Sequence, residues 1–183
     1  MNLEQTPDDL PIPEDDGACD HLTGMKLPGI ELNSTDGSDF NIGKQAGNIV
    51  VYIYPMTGQP DVALPQSWDL IPGARGCTPQ SCGFRDSHDD LTKYTMIYGL
   101  SSQTTGYQQE AKSRLHLPFE LLSDTDFLLK QKLSLPTFSV EGIERYKRLT
   151  LIIQDNVIKK VFYPVFPPDK NAEDVLNWFE NQS

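Results

Sequence analysis

The sequence predicts an α/β fold in which a mixed central β-sheet is flanked by helices, with an extra β-hairpin on its N-terminal side. Residues 48–54 form a β-branched run that is typical of a buried central strand. Strand and helix patterns then alternate through the middle of the chain, which indicates parallel strands joined by helical crossovers. Later, two apolar runs flank Asp155 and Asn156, a pair suited to a hairpin turn, so antiparallel strands are expected there.

The N-terminal elements follow from alternation and turn residues. Apolar residues alternate over 27–37 and end in an Asp-Gly turn, so together with 39–42 they predict the hairpin. After the central strand comes a Pro- and Gly-rich segment over 56–76 that carries Trp68. A loop of about 20 residues is longer than a compact domain usually tolerates without a functional reason.

The later elements alternate between helices and strands. One helix is expected to open with Thr78 as its N-cap and Pro79 as its first helical residue. The predicted bounds are a helix over 78–94, a strand over 96–101, a helix over 105–115, a strand over 119–122, a helix over 124–133, strands over 149–154 and 157–163, and a helix over 172–179. Residues 1–26 are rich in Asp, Glu and Pro without a period, which predicts a flexible acidic arm before one domain spanning 27–183.

Composition excludes several classes of partner. The net charge of −11 argues against a nucleic-acid partner, because a nucleic-acid surface needs a basic face. The longest apolar run, 49–54, is too short to span a bilayer, so no membrane partner is expected. The first residues are acidic and polar, unlike a signal or transit peptide, so we expect a cytoplasmic protein.

Two of the three cysteines, Cys77 and Cys82, stand close together where the long loop meets a helix. In open α/β sheets, binding and catalytic residues lie at the carboxyl ends of the strands, which is where this segment is expected. A free cysteine with a pKa near 8.5 is only about 3% thiolate at pH 7, so a reactive thiol needs stabilisation of its anion. The positive end of a helix gives part of this. The rest requires a cation, for which Arg75, Arg85 and Arg148 are candidates.

The spacing of the two cysteines indicates a switch rather than a permanent crosslink. Five helical steps turn the chain about 500°, which leaves the side chains about 140° apart around the axis. A disulfide needs Cα atoms within about 7 Å, so a bond between Cys77 and Cys82 requires the first helical turn to unwind.

Other readings of the cysteines remain open. A zinc site could combine Cys77, Cys82 and His88 with Cys19 or His21, but the spacing is not the usual two to four residues. A dithiol reductase would need two intervening residues rather than four. A non-enzymatic redox sensor or binding module would use the same pair. Cys19 lies in the predicted arm and has no assigned role.

The segment Gly-Cys-Thr-Pro-Gln-Ser-Cys-Gly-Phe-Arg-Asp over 76–86 resembles the active-site helix of peroxiredoxins, in particular of the Q-type (bacterioferritin-comigratory) branch. The similarity extends from about Leu27 to Trp178. It includes fragments in the family order at 27–37, 53–55, 99–101, 117–124 and 148–153. The resemblance implies a thioredoxin-like fold with the extra N-terminal hairpin.

The resemblance also implies a function: a thiol-dependent peroxidase that reduces hydrogen peroxide and organic hydroperoxides. Cys77 would attack the peroxide, and Arg148 would stabilise the thiolate and the breaking O–O bond. Cys82 would close an intramolecular disulfide, and thioredoxin or a similar dithiol would reduce it. The reaction needs no metal or other cofactor, and the expected assembly is a monomer or homodimer. The alternative is the non-enzymatic thiol sensor.

One departure from the family concerns the residues before Cys77. Where the family has Pro seven residues and Thr three residues before the attacking cysteine, this chain has Leu70 and Ala74. Pro55 is interpreted as the displaced family proline, and Thr57 is a candidate for the missing hydroxyl. We hypothesise that the insert over 56–76 folds over the thiol and forms one wall of the peroxide pocket.

Overall fold

Seven strands form one mixed sheet in the computed structural model, which describes residues 3–182. The strands are β1 (Glu31–Ser34), β2 (Asp39–Asn41), β3 (Asn48–Ile53), β4 (Met96–Ser101), β5 (Glu120–Ser123), β8 (Leu149–Gln154) and β9 (Val157–Phe162), while β6 (Thr137–Val140) and β7 (Ile143–Tyr146) form a separate two-stranded sheet. The order in the large sheet is β2-β1-β5-β4-β3-β8-β9. The predicted mixed sheet and thioredoxin-like arrangement are confirmed.

The central strand β3 joins the parallel and antiparallel halves of the sheet. It pairs in parallel with β4 and antiparallel with β8. The β1–β2 and β8–β9 pairs are the two predicted hairpins. In the β3–β8 register, Ile53 lies opposite Leu149. The start of β8 therefore lies beside the carboxyl end of β3.

Side chains of β3 alternate between two cores, one on each face of the sheet. Val51 packs in a cluster that also contains Leu22 and Leu129. Its neighbour Tyr52 packs in a second cluster with Phe84. Because both faces of β3 are covered, nearly every residue of the strand is apolar, which is why the sequence reads as a continuous β-branched run.

The helices are α1 (Cys77–Asp86), α2 (His88–Leu91), α3 (Thr105–Leu115), α4 (Leu128–Leu133) and α5 (Asn171–Glu180). The prediction of one helix over 78–94 was wrong: α1 ends at Asp86, because Ser87 has φ −94° and ψ 5° and leaves the helical conformation. Thr78 is not the N-cap either. Gly76 takes that position, and Pro79 fits in the first turn because the N–H it lacks would have no intrahelical acceptor there.

Helix α4 begins four residues later than the predicted start at Asp124. The carboxylate of Asp124 instead accepts hydrogen bonds from the backbone N–H groups of Leu128 (2.8 Å) and Leu129 (3.0 Å). Asp124 therefore caps this helix from the preceding turn rather than belonging to it.

The hairpin β6–β7 was missed by the sequence analysis. Its turn uses Glu141 (φ 51°) and Gly142 (φ 75°), so a Gly-containing turn between alternating residues was the available signal. The hairpin presents Phe138 and Val140 to the insert, where they pack with Trp68.

The N-terminal segment over 3–26 lies against the rest of the fold. Cys19 and Leu22 are buried in the first core, and Lys26 pairs with Val157 at the free edge of β9. Sequence reasoning treated this segment as loosely held, and the structure instead anchors its second half by apolar burial. A domain boundary at residue 26 stays a prediction. No helix in the described part of the chain is long and apolar enough to cross a membrane.

Candidate active site

The thiol of Cys77 lies at the first residue of α1 and is 2% exposed. Gly76 before it has φ 106°, a conformation that L side chains rarely adopt. A Cβ at Gly76 would also stand 2.4 Å from Cγ of Pro168. Glycine is therefore required both for the turn into the helix and for the close approach of Pro168. The result is a buried cysteine at the positive end of a ten-residue helix.

The guanidinium of Arg148 contacts the sulfur directly. Its Nη2 lies 3.2 Å from Cys77 Sγ and also donates to the backbone oxygens of Ala74 (3.1 Å) and Arg75 (3.2 Å). Arg148 is 3% exposed. It reaches this place because it directly precedes β8, whose first residue is paired with the last residue of β3. The sheet register thus brings a charge 71 residues away in sequence to the thiol.

A buried polar network holds a second nitrogen of Arg148, Nη1. Nη1 donates to Oε1 of Gln80, whose Nε2 donates to Oδ1 of Asn171 at 3.0 Å. The same Asn171 oxygen accepts from Thr150 Oγ1 at 2.7 Å. Gln80, Thr150 and Asn171 are fully buried. Because a buried polar group that loses its partner is costly, the network favours this one orientation of the guanidinium.

The other two candidate cations have different partners. Arg75 pairs with Asp69 of the insert (Nη1 to Oδ1, 2.9 Å). Arg85 pairs with Asp86 and donates to the backbone oxygen of Leu115 at 3.0 Å. Within residues 3–182, Arg148 is thus the arginine in hydrogen-bond contact with Cys77 Sγ.

Cys82 lies on the same helix, five residues later, and is 8% exposed. Both cysteines are free thiols. Burial raises the pKa of Cys82, the charge of Arg85 partly counteracts this, and Glu4 adds to the increase. Cys82 is therefore held as a neutral thiol in the intact helix.

A small cavity of about 10 Å³ opens beside the thiol, about the room for one water molecule. Its walls are formed by Leu3, Met56, Gly58, Leu64, Arg75, Gly76, Cys77 and Thr78. Several of these come from the insert over 56–76, which therefore lies over the thiol as hypothesised. Trp68 does not line the cavity. It is 3% exposed and packs on Phe138 with 6.0 Å between ring centroids.

Thr57 lies outside the wall of this cavity. Its hydroxyl donates to Oε1 of Gln103 at 3.3 Å, and its backbone oxygen accepts from the hydroxyl of Tyr107 at 2.9 Å. The structure thus does not bring the Thr57 hydroxyl to Cys77. Ala74 contributes its backbone oxygen, which contacts both Cys77 Sγ (3.6 Å) and Arg148.

Sequence reasoning missed the residues that hold Arg148. A signal existed for Gln80, because a residue three positions after Cys77 lies on the same helix face. Asn171 and Thr150 gave no local signal, since their role depends on how α5 and β8 pack. The residues proposed for zinc do not gather: no group of three or more His, Cys, Asp or Glu suited to a metal ion occurs among the described residues.

Comparison with known proteins defines the class. The family model for redoxins matches residues 22–176, and the chain therefore belongs to the redoxin family. The peroxiredoxin Q of Suaeda salsa, a chloroplastic protein, is 25% identical over 160 residues, covering 86% of this chain and 67% of that protein. A putative peroxiredoxin bcp of Coxiella burnetii is 25% identical over 158 residues, covering 84% of this chain and 95% of that protein. This chain thus spans about two thirds of the plant relative and nearly all of the bacterial one.

Solved structures agree on the fold. The peroxidoxin BcpB of Mycobacterium tuberculosis superposes with a TM-score of 0.71 at 21% identity, covering 89% of this chain and 99% of that one. A peroxiredoxin Q of Xanthomonas campestris gives 0.67 at 19% identity, covering 86% and 96%. The redoxin match and the peroxiredoxin Q and bcp relatives confirm the resemblance to Q-type peroxiredoxins and the assignment to that class of oxidoreductases.

Proposed function

We propose that Cys77 is the residue with which this peroxiredoxin attacks hydrogen peroxide and organic hydroperoxides, and that Cys82 then closes a disulfide with it. The observation that carries the proposal is the 3.2 Å contact between Nη2 of Arg148 and Sγ of Cys77, made in a site with almost no access to water. A positive charge at this distance stabilises negative charge that develops at the reacting atoms, because a buried charge without a partner is costly.

In the first step the thiolate sulfur attacks one peroxide oxygen and the O–O bond breaks. The sulfur is oxidised to a sulfenic acid, and the other oxygen leaves as hydroxide or alkoxide, which takes up a proton to give water or an alcohol. Negative charge moves from sulfur towards the leaving oxygen during this step. Arg148, held by Gln80 through Nη1, is oriented in advance to stabilise that charge.

In the second step the thiol of Cys82 condenses with the sulfenic acid, forming the S–S bond and releasing water. The helix must first unwind, because the two side chains are about 140° apart around its axis. Unwinding breaks the hydrogen bond from Gln80 N to Gly76 O (3.0 Å) and releases Cys82 from the buried position that raises its pKa. A dithiol such as thioredoxin then restores both thiols by exchange.

Mass analysis of the protein after one equivalent of hydrogen peroxide tests these assignments. The full chain should lose two hydrogens as the disulfide forms. A Cys82→Ser variant should gain one oxygen on Cys77, and a Cys77→Ser variant should not react. The matched control is Cys19→Ser, which should behave like the full chain, since burial and nearby acids raise the pKa of Cys19 to about 12. Oxidation of Cys77→Ser at the normal rate would refute the assignment of the nucleophile.

Turnover separates this function from the alternative of a non-enzymatic thiol sensor. Steady consumption of peroxide with a thioredoxin system supports the enzyme, and a single oxidation without turnover supports the sensor. The cytoplasmic location stays a prediction from the sequence. Fractionation of the source cells tests it, because the plant relatives are named as chloroplastic.

A further inference from the structure

The N-terminal segment reaches the cavity at the thiol. Leu3 forms part of the wall of that cavity, together with Met56 and Leu64 of the insert. Gly58 lies beneath it: a Cβ added there would stand 3.1 Å from Cδ2 and 3.3 Å from Cδ1 of Leu3, and 3.2 Å from Cδ2 of Leu64. Leu3 is therefore in close van der Waals contact with the insert at the mouth of the site.

The segment that carries Leu3 is attached along its length. Oγ1 of Thr6 donates to Oδ1 of Asp169 at 3.4 Å. Further on, the carboxylate of Asp16 accepts from Nζ of Lys147 at 2.8 Å and from the hydroxyl of Tyr163 at 2.7 Å. Beyond Asp16, the segment is anchored by the burial of Cys19. Residues 3–19 thus form a strap that runs from the cavity at Cys77 to the first core.

The size of the cavity beside the thiol discriminates between peroxides. About 10 Å³ holds one water-sized molecule, and hydrogen peroxide has only one heavy atom more. The alkyl or aryl group of an organic hydroperoxide does not fit in this volume while Leu3 forms part of the wall. Since the wall residues Met56 and Leu64 are apolar, such a group would find compatible surroundings once the leucine side chain has moved away.

We propose that Leu3 is a specificity-determining residue: it narrows the cavity beside Cys77, so that bulky organic hydroperoxides react only when the Leu3 end of the strap moves aside. This inference rests on the proposed peroxidase function. Hydrogen peroxide requires little displacement of the strap, whereas a bulky substrate requires the contacts of Leu3 with Gly58 and Leu64 to break. Shortening the side chain should therefore help the bulky substrate selectively.

The test compares Leu3→Ala with the unmodified full-length chain, using hydrogen peroxide and cumene hydroperoxide as substrates. The rate constant of Cys77 oxidation by cumene hydroperoxide should rise about tenfold, and that by hydrogen peroxide should change less than about twofold. Leu3→Met, which keeps the volume of the side chain, should preserve the original ratio of the two constants. The matched control is Ile12→Ala on the same strap, since Ile12 is 70% exposed and does not line the cavity.

The outcomes separate this inference from the function on which it rests. A chain that does not oxidise Cys77 with either peroxide contradicts the proposed function. If the chain is active but Leu3→Ala leaves the ratio of the two rate constants unchanged, or raises both constants equally, the role of Leu3 is overturned and the proposed function still stands. If Ile12→Ala shifts the ratio as much as Leu3→Ala, the effect belongs to strap mobility in general and the assignment to Leu3 is also overturned.

Discussion

Replacing Gln80 by Leu removes the acceptor that holds Nη1 of Arg148 while keeping a side chain of similar size. Gln80 is fully buried, so bulk solvent does not reach the position of its side chain. Losing a hydrogen bond to a buried charged group costs about 1.5 to 3 kcal/mol, which corresponds to about tenfold to about a hundredfold in rate if the cost falls on the transition state. We expect the rate constant of Cys77 oxidation by hydrogen peroxide to fall by that factor, measured by rapid mixing.

Two further variants distinguish positioning from stability. Gln80→Glu keeps an acceptor for Arg148 and should restore much of the rate. Thr150→Val removes only the 2.7 Å bond to Asn171, at the end of the network farthest from Arg148, so it should lower the free energy of unfolding by about 1 kcal/mol and leave the rate within about threefold. If Gln80→Leu oxidises Cys77 as fast as the unmodified chain, the network does not position the arginine and the reasoning is refuted.

Three other predictions follow from the fold around the site. Disulfide formation unwinds the start of α1, which directly follows the insert, so the fluorescence of Trp68 should change on oxidation. A Trp68→Phe variant should lose that change. An identical Trp68 signal in both redox states would contradict this prediction. The hydrogen bond from Lys147 is the main reason that the pKa of Asp16 lies at about 2, below its ordinary 3.8. The ionised Asp16 carboxylate therefore stabilises the fold fully above pH 3.8, and this contribution is lost as the pH falls through about 2. Asp16→Asn should therefore lower the free energy of unfolding by about 0.2 to 1 kcal/mol at pH 6, with the difference vanishing near pH 2 in urea titrations. Gly76→Ala should lower the free energy of unfolding by about 1 to 3 kcal/mol, because of the positive φ and the 2.4 Å clash with Pro168. The control Gly106→Ala meets nothing within 4 Å and should not destabilise the fold. Equal effects of the two substitutions would be evidence against strain at the helix start.

The sequence alone determined those features that depend on neighbouring residues. The β-branched run of β3 and the Asp-Gly and Asp-Asn turns predict strands and hairpins, because period and turn conformation are local properties. The placement of Cys77 at a helix start was local too, although the cap is Gly76 rather than Thr78. The helix expected to continue to Tyr94 shows the limit of this reasoning, since helical propensity alone did not reveal the break at Ser87.

Local patterns left three candidate arginines and the resemblance pointed to Arg148, but only the tertiary structure shows why Arg148 is the one that contacts the thiol. Arg75 and Arg85 are nearer to Cys77 in sequence, yet each is paired elsewhere, and Arg148 is chosen by the register that sets Leu149 opposite Ile53. The same holds for the position of Leu3 in the wall of the cavity at the thiol, because Leu3 lies 74 residues before Cys77 in the chain. Local patterns contain no information about such contacts, because they arise from strand pairing and from the burial of distant apolar side chains in a shared core.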